Sequence, residues 1–429
     1  MNEHDSEKIA GMLENMGYEK TQDHVNADII VFNTCLIRKN AELKVFGKVG
    51  SLKQLKEDNP DLIIAVGGCM MQQEGPVNEL YKKYPQVDII FGTHNIHKLP
   101  SLINQIKHGD ERVIDVWEED KGLIPDLPSK RRNEFQAWVT VIQGCDNYCS
   151  YCIVPYVRGT ERSRPMNDVI AEVRELVADG VIDVTLLGQN VNSYGLDLEE
   201  EYDFPDLLSK LAKINGLEKV KYMTSHPKDL SEKLIETVAS NNNISKHFHL
   251  PVQSGSSKIL KAMNRKYDQE KYLNLINKIR ERIPDAVITT DFIVGFPGET
   301  KDDFKETLSL VERVRFDMAY TFAYSPREGT PAAKKDNQVS SEEKHRRLQA
   351  LMKKQNQISY EVNQKLIGKE VDVLVEGESK KDPDYFSARS DGNKLVIIPA
   401  KTEKLIGNII KAKINEAGSW TLYGDIVNY

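Results

Sequence analysis

The sequence predicts a multidomain α/β protein, and two observations carry the prediction. From the N-terminus to about residue 331, short apolar runs alternate with amphipathic helical patterns, as in parallel sheets. From residue 367 the pattern changes to period-two alternation between turn residues, as in small β-barrels. A chain of 429 residues has room for roughly two to four such domains.

Residues 1–118 read as a Rossmann/flavodoxin-like parallel sheet. A helix over 6–16 places Ile9, Met12, Leu13 and Met16 on one face, and Gly17 stands just past its end. Residues 28–33 form a short buried strand, followed by Thr34 and Cys35. A helix over 41–56 leads to a second strand at 62–67, followed by Gly68 and Cys69. A third strand at 87–92 precedes a loop with His94 and His97. Ligands of such sheets gather at the carboxyl ends of the strands, so Cys35 and Cys69 are placed to face one site. A domain of this kind normally opens on a strand, whereas this chain opens on a helix.

Residues 119–134 are charged and carry Pro125, Pro128, Lys130, Arg131 and Arg132, the composition of a linker. Residues 135–338 read as a partial (β/α)6 barrel, with strands at 137–143, 183–188, 218–224, 247–252, 286–294 and 317–324. Barrels of this type carry their chemistry at the strand carboxyl ends. A helix with Val169, Ile170, Val173, Leu176 and Val177 on one face stops before Gly180, and Thr300 with Asp303 caps a helix over 300–314. Residues 339–366 predict a long helix bearing Lys344, Arg346, Arg347, Lys353 and Lys354. It is either a solvated connector or a helix whose basic side approaches RNA phosphates. Residues 367–429 supply strands at 370–376, 395–399, 409–414 and 421–427 with no catalytic cluster, the pattern of a binding module.

Composition narrows the class. Apolar residues make up 40% and charged residues 29%, as in globular proteins. No apolar run reaches the length of a membrane span. The first seven residues are polar and acidic, unlike a signal or transit peptide, so a cytoplasmic location is expected. A net charge of −7 argues against non-specific nucleic-acid binding and leaves room for a local basic face.

Three of the five cysteines, Cys145, Cys149 and Cys152, lie within eight residues in a Cys-x3-Cys-x2-Cys loop. An odd, clustered set is not a disulfide framework, and thiolates for iron need a reducing compartment. Three thiolates can hold three irons of a cubane cluster and leave the fourth iron open. The rival readings are a structural zinc site, which wants four closed ligands, a ferredoxin fragment, which brings a fourth Cys nearby, and simple packing. The nearest downstream His is His226.

This spacing, with Tyr151 before the last Cys, resembles the radical S-adenosylmethionine (SAM) enzymes. The resemblance implies that SAM chelates the open iron and that one electron from the cluster cleaves it to a 5′-deoxyadenosyl radical. Five polar loops at strand ends then gain a role. They carry Gly188, Gln189 and Asn190; Ser225 and His226; Gln253, Ser254 and Gly255; Gly295, Gly298 and Glu299; and Ser325 and Arg327. Gln, Asn and Ser suit the amino-acid head and ribose of SAM, and Gly admits close backbone approach. Taken singly, each loop is equally well turn chemistry. Asp291, within an apolar strand, is either a partnered buried carboxylate or a cofactor contact. Arg158, Arg162 and Arg164 beside the cysteines read either as a grip for phosphate or carboxylate or as a solvated loop.

Along its whole length the chain resembles the methylthiotransferases. The resemblance rests on Asn33-Thr-Cys35, Gly67-Gly-Cys69-Met-Met-Gln72, the Gly144–Cys152 loop with its continuation to Gly159, Leu250-Pro-Val-Gln-Ser-Gly255, Ile293-Val-Gly-Phe-Pro-Gly-Glu299, Tyr324-Ser-Pro-Arg-Glu-Gly-Thr-Pro331 and a C-terminal barrel like a TRAM domain. It implies that Cys145, Cys149 and Cys152 hold the SAM-cleaving [4Fe-4S] cluster; the polar strand-end loops above make Gly188, Gln189, Asn190, Ser225, Gln253, Ser254, Asp291 and Arg327 the expected SAM contacts. It implies a second, auxiliary [4Fe-4S] cluster in the N-terminal domain on three cysteines, of which Cys35 and Cys69 are present. The implied reaction is methylthiolation at C2 of N6-(dimethylallyl)adenosine at position 37 of tRNA, beside the anticodon. The implied partners are the tRNA anticodon stem-loop and a flavodoxin- or ferredoxin-like reductant, with a monomeric enzyme and no membrane.

Members of the family begin with a strand and a Gly-Cys-Gln just before the residues matching Met1-Asn2-Glu3. The sequence therefore reads as starting at an internal methionine of a longer protein. Taken literally, it predicts SAM cleavage with little methylthiolation, since two thiolates hold a cubane poorly. Two alternatives stay open. One is methylthiolation of threonylcarbamoyladenosine in tRNA or of a ribosomal-protein aspartate. The other is a catalytically impaired RNA-binding protein.

Overall fold

The structure, a computed structural model, describes residues 1–36, 39–117, 127–400 and 402–428. The expected linker therefore lies partly outside the described residues, Pro125 included. The chain divides into two compact units: Met1–Asn133 with Gln143–Asp146 and Cys152–Arg164, and Glu134–Ile142 with Asn147–Tyr151 and Pro165–Tyr429.

The first unit is built on a four-stranded parallel sheet in sequential order: Ile29–Thr34, Ile63–Gly68, Ile89–Phe91 and Val113–Asp115. The second strand is buried on both faces, as continuous apolar runs in parallel sheets require. Ile63 and Ala65 pack with Ile9 and Met12 of helix Asn2–Asn15 and with Leu99, Leu102 and Ile103 of helix Leu99–Lys107. Ile64 and Val66 face the other way, onto Val49, Leu52 and Leu80. The single helix expected over 41–56 is two, Lys39–Ser51 and Lys53–Asp58. The strand Val113–Asp115 is too short and too exposed to signal itself in the sequence.

In the second unit, all six expected barrel strands form. Gln136–Thr140, Asp183–Leu187 and Lys219–Tyr222 make one parallel sheet; His247–His249, Val287–Val294 and Met318–Ala323 make another. One face of this arc is apolar and carries helices. Val139, Val184, Leu186, Val220, Phe248 and Ile288 share a core with Val169 and Val173 of helix Met166–Ala178 and with Leu310 and Val311 of helix Lys301–Val314. The cap expected at that last helix is a full capping box between Thr300 and Asp303. Alternate residues on the strands are polar and bond to each other. Gln136 Nε2 and Lys221 Nζ both donate to Asp183 Oδ2, at 2.9 and 2.6 Å. His247 and His249 both reach Thr289 Oγ1, at 2.7 and 3.0 Å.

The long helix spans Ser341–Gln364, capped by Ser340. It is no solvated connector, because Arg347, Leu351, Gln355, Ile358, Ser359 and Asn363 form a buried stripe on it. Nor is Arg347 available to RNA: it is buried, with Nη1 on Glu299 Oε2 at 2.6 Å and Nε on Glu343 Oε1 at 2.8 Å. Lys354 pairs with Glu312, and Arg346 with Glu343.

Beyond this helix, five strands close a barrel in the order Glu370–Glu378, Tyr385–Ser390, Leu395–Pro399, Thr421–Asn428, Ile409–Ala417. Val373, Phe386, Ala388, Val396, Ile398, Ala412 and Ile414 fill it. No helix among the described residues is long and apolar enough to cross a membrane.

Candidate active site

In the first unit, strand register fixes the two cysteines. Thr34 pairs with Gly68, so Cys35 and Cys69 follow directly at neighbouring carboxyl ends of the sheet. Thr34 Oγ1 donates to Gly67 O at 2.6 Å and locks the two ends together. Arg158, from helix Val154–Arg158, reaches this edge. Its Nε donates to Cys69 Sγ at 3.3 Å and its Nη2 to Asp5 Oδ2 at 2.7 Å. Burial pushes the Cys69 thiol up, and the Arg158 charge only partly opposes it. Burial would raise Asp5 too, but the Arg158 charge and hydrogen bond hold it below the usual carboxylate range. Arg158 is therefore an internal ion-paired residue. Of the two expectations for this position, a grip on a carboxylate fits, the carboxylate being Asp5, and the solvated loop is corrected for Arg158.

The cysteine loop opens at Gly144. A Cβ there would lie 1.8 Å from Thr160 O, and φ is +80°, so only glycine fits. Cys145 N donates to Gly159 O at 3.1 Å. Cys145 and Cys152 are half-buried, Cys149 is buried, and all five cysteines are thiols.

In the second unit, the stretch Asn147–Tyr151 is laced to the turn after helix Ser257–Ala262. Ser150 N donates to Met263 O at 3.0 Å and Ser150 Oγ to Ala262 O at 2.9 Å. Asn264 Nδ2 donates to Tyr148 O at 2.9 Å and Asn147 O at 3.2 Å. The next residue, Arg265, is buried and donates from Nη1 to Cys149 Sγ at 3.3 Å. Sequence reasoning missed Arg265. Its one signal was a pair of basic residues, Arg265-Lys266, between a helix and the capping Asp268 of the next.

Among the described residues, no three His, Cys, Asp or Glu side chains gather as ligands of one metal ion. Three thiolates that each bind a separate corner of a cubane stand further apart than the ligands of one zinc.

The expected SAM residues sort by what their polar atoms already do. Gly188 is required by packing, since a Cβ would meet Ile142 Cγ2 at 2.4 Å. Asn190 is buried and fully used: Nδ2 donates to Asp229 Oδ2 at 2.7 Å, and Oδ1 accepts from His226 N at 3.1 Å. Ser254 is also buried and used, accepting from Ser256 N at 3.2 Å beside Thr307. Asp291 is half-buried, with His249 Nε2 at 3.6 Å from its Oδ1. Ser225 is buried. Arg327 is half-buried, and its carbonyl accepts from Thr330 Oγ1 at 2.7 Å.

Other groups at the same strand ends are buried yet lack hydrogen-bond partners: Gln189 Oε1, Gln253 Oε1, His226 Nε2 and both amide atoms of Asn192. Buried polar atoms without partners cost about 1–3 kcal/mol each, so such a cluster marks a place for a polar ligand. Asn192 was not expected from the sequence. His226 is neutral: burial, then the charges of Arg265 and Lys228, pull its pKa down to about 2. Its Nδ1 accepts from Lys228 N at 3.1 Å, which leaves the proton on Nε2. Two residues here sit in left-handed backbone, Thr224 at φ +70° and Gln253 at φ +73°. Such strain costs about 1–3 kcal/mol per residue and clusters at ligand sites. Gln253 is held there by its N–H on Asp291 O and its C=O on Ile293 N, each at 2.9 Å.

A cysteine loop, two three-stranded parallel sheets and unsatisfied polar groups at their strand ends define a radical SAM protein. Residues 139–311 match the Radical SAM superfamily, residues 1–92 the Uncharacterized protein family UPF0004, and residues 364–427 the TRAM domain. The fold is also that of the radical SAM methyltransferase TsrM from Kitasatospora setae, at TM-score 0.56 and 14% identity over 77% of this chain and 72% of that one. Three relatives are named tRNA-2-methylthio-N(6)-dimethylallyladenosine synthase. The one from Alkaliphilus oremlandii is 51% identical over 100% of this chain and 90% of its own. The one from Thermoanaerobacter pseudethanolicus is 53% identical over 100% and 90%. The one from Clostridium tetani is 52% identical over 100% and 94%. The chain belongs to the radical SAM methylthiotransferases, in the MiaB-like group of these synthases.

Proposed function

We propose that this chain methylthiolates C2 of N6-(dimethylallyl)adenosine beside the anticodon of tRNA. The observation that carries the reading is 51–53% identity, over 100% of this chain and 90% of theirs, with relatives named for that activity.

Cys145, Cys149 and Cys152 would hold a [4Fe-4S] cluster with SAM on its open iron, and Cys35 and Cys69 would be ligands of an auxiliary [4Fe-4S] cluster. The donor set fits. The three thiols share one loop, a buried guanidinium bonds the middle one, and unsatisfied amides stand at the strand ends. When bound, the cluster and SAM together supply a radical strong enough to take hydrogen from an aromatic C–H.

The chain's own residues do the rest. Gln189, Asn192 and Gln253 offer amides to the amino-acid head and ribose of SAM. Gly188 keeps the backbone close, Asn190 and Ser254 brace the loops from behind, and Ser225, Asp291 and Arg327 line the same strand ends. Neutral His226 offers a donor without adding positive charge. The C-terminal barrel holds the tRNA anticodon stem-loop, with the adenosine flipped from its stack. A flavodoxin- or ferredoxin-like protein serves as reductant, and the enzyme acts as a cytoplasmic monomer.

The test is one assay with three substrates side by side: tRNA carrying dimethylallyladenosine, tRNA carrying threonylcarbamoyladenosine, and a ribosomal protein with its target aspartate. Mass spectrometry should find the methylthio group only on the first. A product on either of the others overturns the substrate assignment. RNA binding with no SAM cleavage at all overturns the activity.

A further inference from the structure

Three arginines are buried among the described residues: Arg158, Arg265 and Arg347. Two of them have carboxylates. Arg158 pairs with Asp5, and Arg347 with Glu299 and Glu343. Arg265 has none. Its Nε donates to Tyr267 Oη at 2.9 Å and its Nη2 to Pro251 O at 2.6 Å. Its Nη1 lies 3.3 Å from Cys149 Sγ and 3.5 Å from Tyr151 Oη. A guanidinium does not lose its proton in a protein, and a charge in the interior is costly without a counter-charge. Among its partners, the Cys149 sulfur is the one assigned to the cluster.

The local backbone is shaped to hold this side chain in place. Asn264 and Lys266 flank Arg265, both in left-handed conformation at φ +63°. Asn264 itself is tied to the carbonyls of Asn147 and Tyr148. Tyr267 Oη, which accepts from Nε, is anchored in turn on Val252 O at 3.0 Å. The guanidinium also lies 5.3 Å from the Tyr267 ring centroid, in cation–π range. Each contact fixes the charge against the middle cysteine of the loop.

We propose that Arg265 is a positioning residue that sets the reduction potential of the cluster on Cys145, Cys149 and Cys152. The inference rests on the assignment of the cluster to those cysteines. Reduction adds one electron, hence one negative charge, to the cluster. A buried cation bonded to a ligand sulfur stabilises that form more than the oxidised one, because hydrogen bonds and charge at the sulfurs tune such centres. Burial keeps solvent and salt from screening the effect. Arg265 thus makes the electron easier to accept from a biological reductant. At Cys69 the contrast is built in, since the Arg158 charge is cancelled by Asp5.

The experiment is a potentiometric titration followed by electron paramagnetic resonance, with dithionite supplying electrons. It uses the full chain, anaerobically reconstituted, in a Cys69→Ala background so that one cluster is read. Wild type, Arg265→Lys and Arg265→Gln are compared, with iron and sulfide counted for each. The expected result is a midpoint displaced to more negative potential in Arg265→Gln, and one close to wild type in Arg265→Lys, which keeps the charge. An unchanged midpoint in a fully loaded Arg265→Gln protein overturns the proposal. So does weakened SAM binding at unchanged midpoint, which would make Arg265 a carboxylate partner for SAM. If the glutamine variant fails to fold or load, the lysine variant decides: a retained midpoint supports the charge role, and a large negative displacement overturns it. A wild-type protein that assembles no cluster, or one indifferent to Cys149→Ala, would instead sink the cluster assignment.

Discussion

Arg158 donates from Nε to Cys69 Sγ at 3.3 Å while its other arm binds Asp5 at 2.7 Å. Helix Val154–Arg158 thereby ties the segment after the cysteine loop to the edge where Cys35 and Cys69 lie.

Replacing Arg158 with Met should destabilise the first unit by about 3–5 kcal/mol, because the largely buried Asp5 carboxylate loses its guanidinium partner. Chemical-denaturant unfolding would measure this, and a loss near zero would refute it. The pair also has a pH signature. Asp5 is depressed in the folded state, so its contribution is complete above the ordinary carboxylate range. It disappears only as pH falls through the lowered value.

Gly144→Ala should remove iron from the cysteine loop and leave the rest of the fold intact. The new Cβ would overlap Thr160 O in a backbone region that alanine avoids. Iron content against far-ultraviolet circular dichroism separates the two effects; normal iron loading would contradict the expectation.

SAM affinity should divide the polar loop residues into two groups. Gln253→Ala removes an unsatisfied amide and should weaken SAM binding by roughly tenfold, about 1.4 kcal/mol. Ser254→Ala should change it by less than about twofold, since that hydroxyl is already used by Ser256 N and Thr307. Equilibrium dialysis with loaded protein reads both, and equal losses would refute the distinction.

Acid should destabilise the second unit through two buried imidazoles. His226 and His247 have pKa values lowered to about 2 and about 3, in both cases first by burial. The unfolded chain binds more protons than the folded one below the ordinary His pKa of about 6.5. Stability therefore falls as pH drops from there toward those values. His247→Asn should flatten the slope of unfolding free energy against pH; an unaltered slope would rule His247 out as a source.

Much of the fold was readable because its strands are apolar and its helices amphipathic, so period and burial agree. All six barrel strands appear where Val, Ile and Phe runs placed them. The strand Tyr385–Ser390 was missed because Ser387, Arg389 and Ser390 dilute its alternation and an Asp-Pro-Asp turn precedes it. The cysteine loop was legible because spacing is a property of sequence. Arg265 was not, because its meaning depends on a fold-back that brings it to Cys149 from 116 residues away. The long helix misled for a similar reason: charge composition does not say that Arg347 is buried against Glu299.

The most direct test is isotope transfer. Loaded protein is incubated with dithionite, SAM and tRNA whose dimethylallyladenosine carries deuterium at C2, and the 5′-deoxyadenosine formed is analysed by mass spectrometry. The expected result is deuterium in 5′-deoxyadenosine, dependent on Cys145, Cys149 and Cys152. Formation of 5′-deoxyadenosine without deuterium, or none from a protein with its cluster in place, would contradict the assigned reaction.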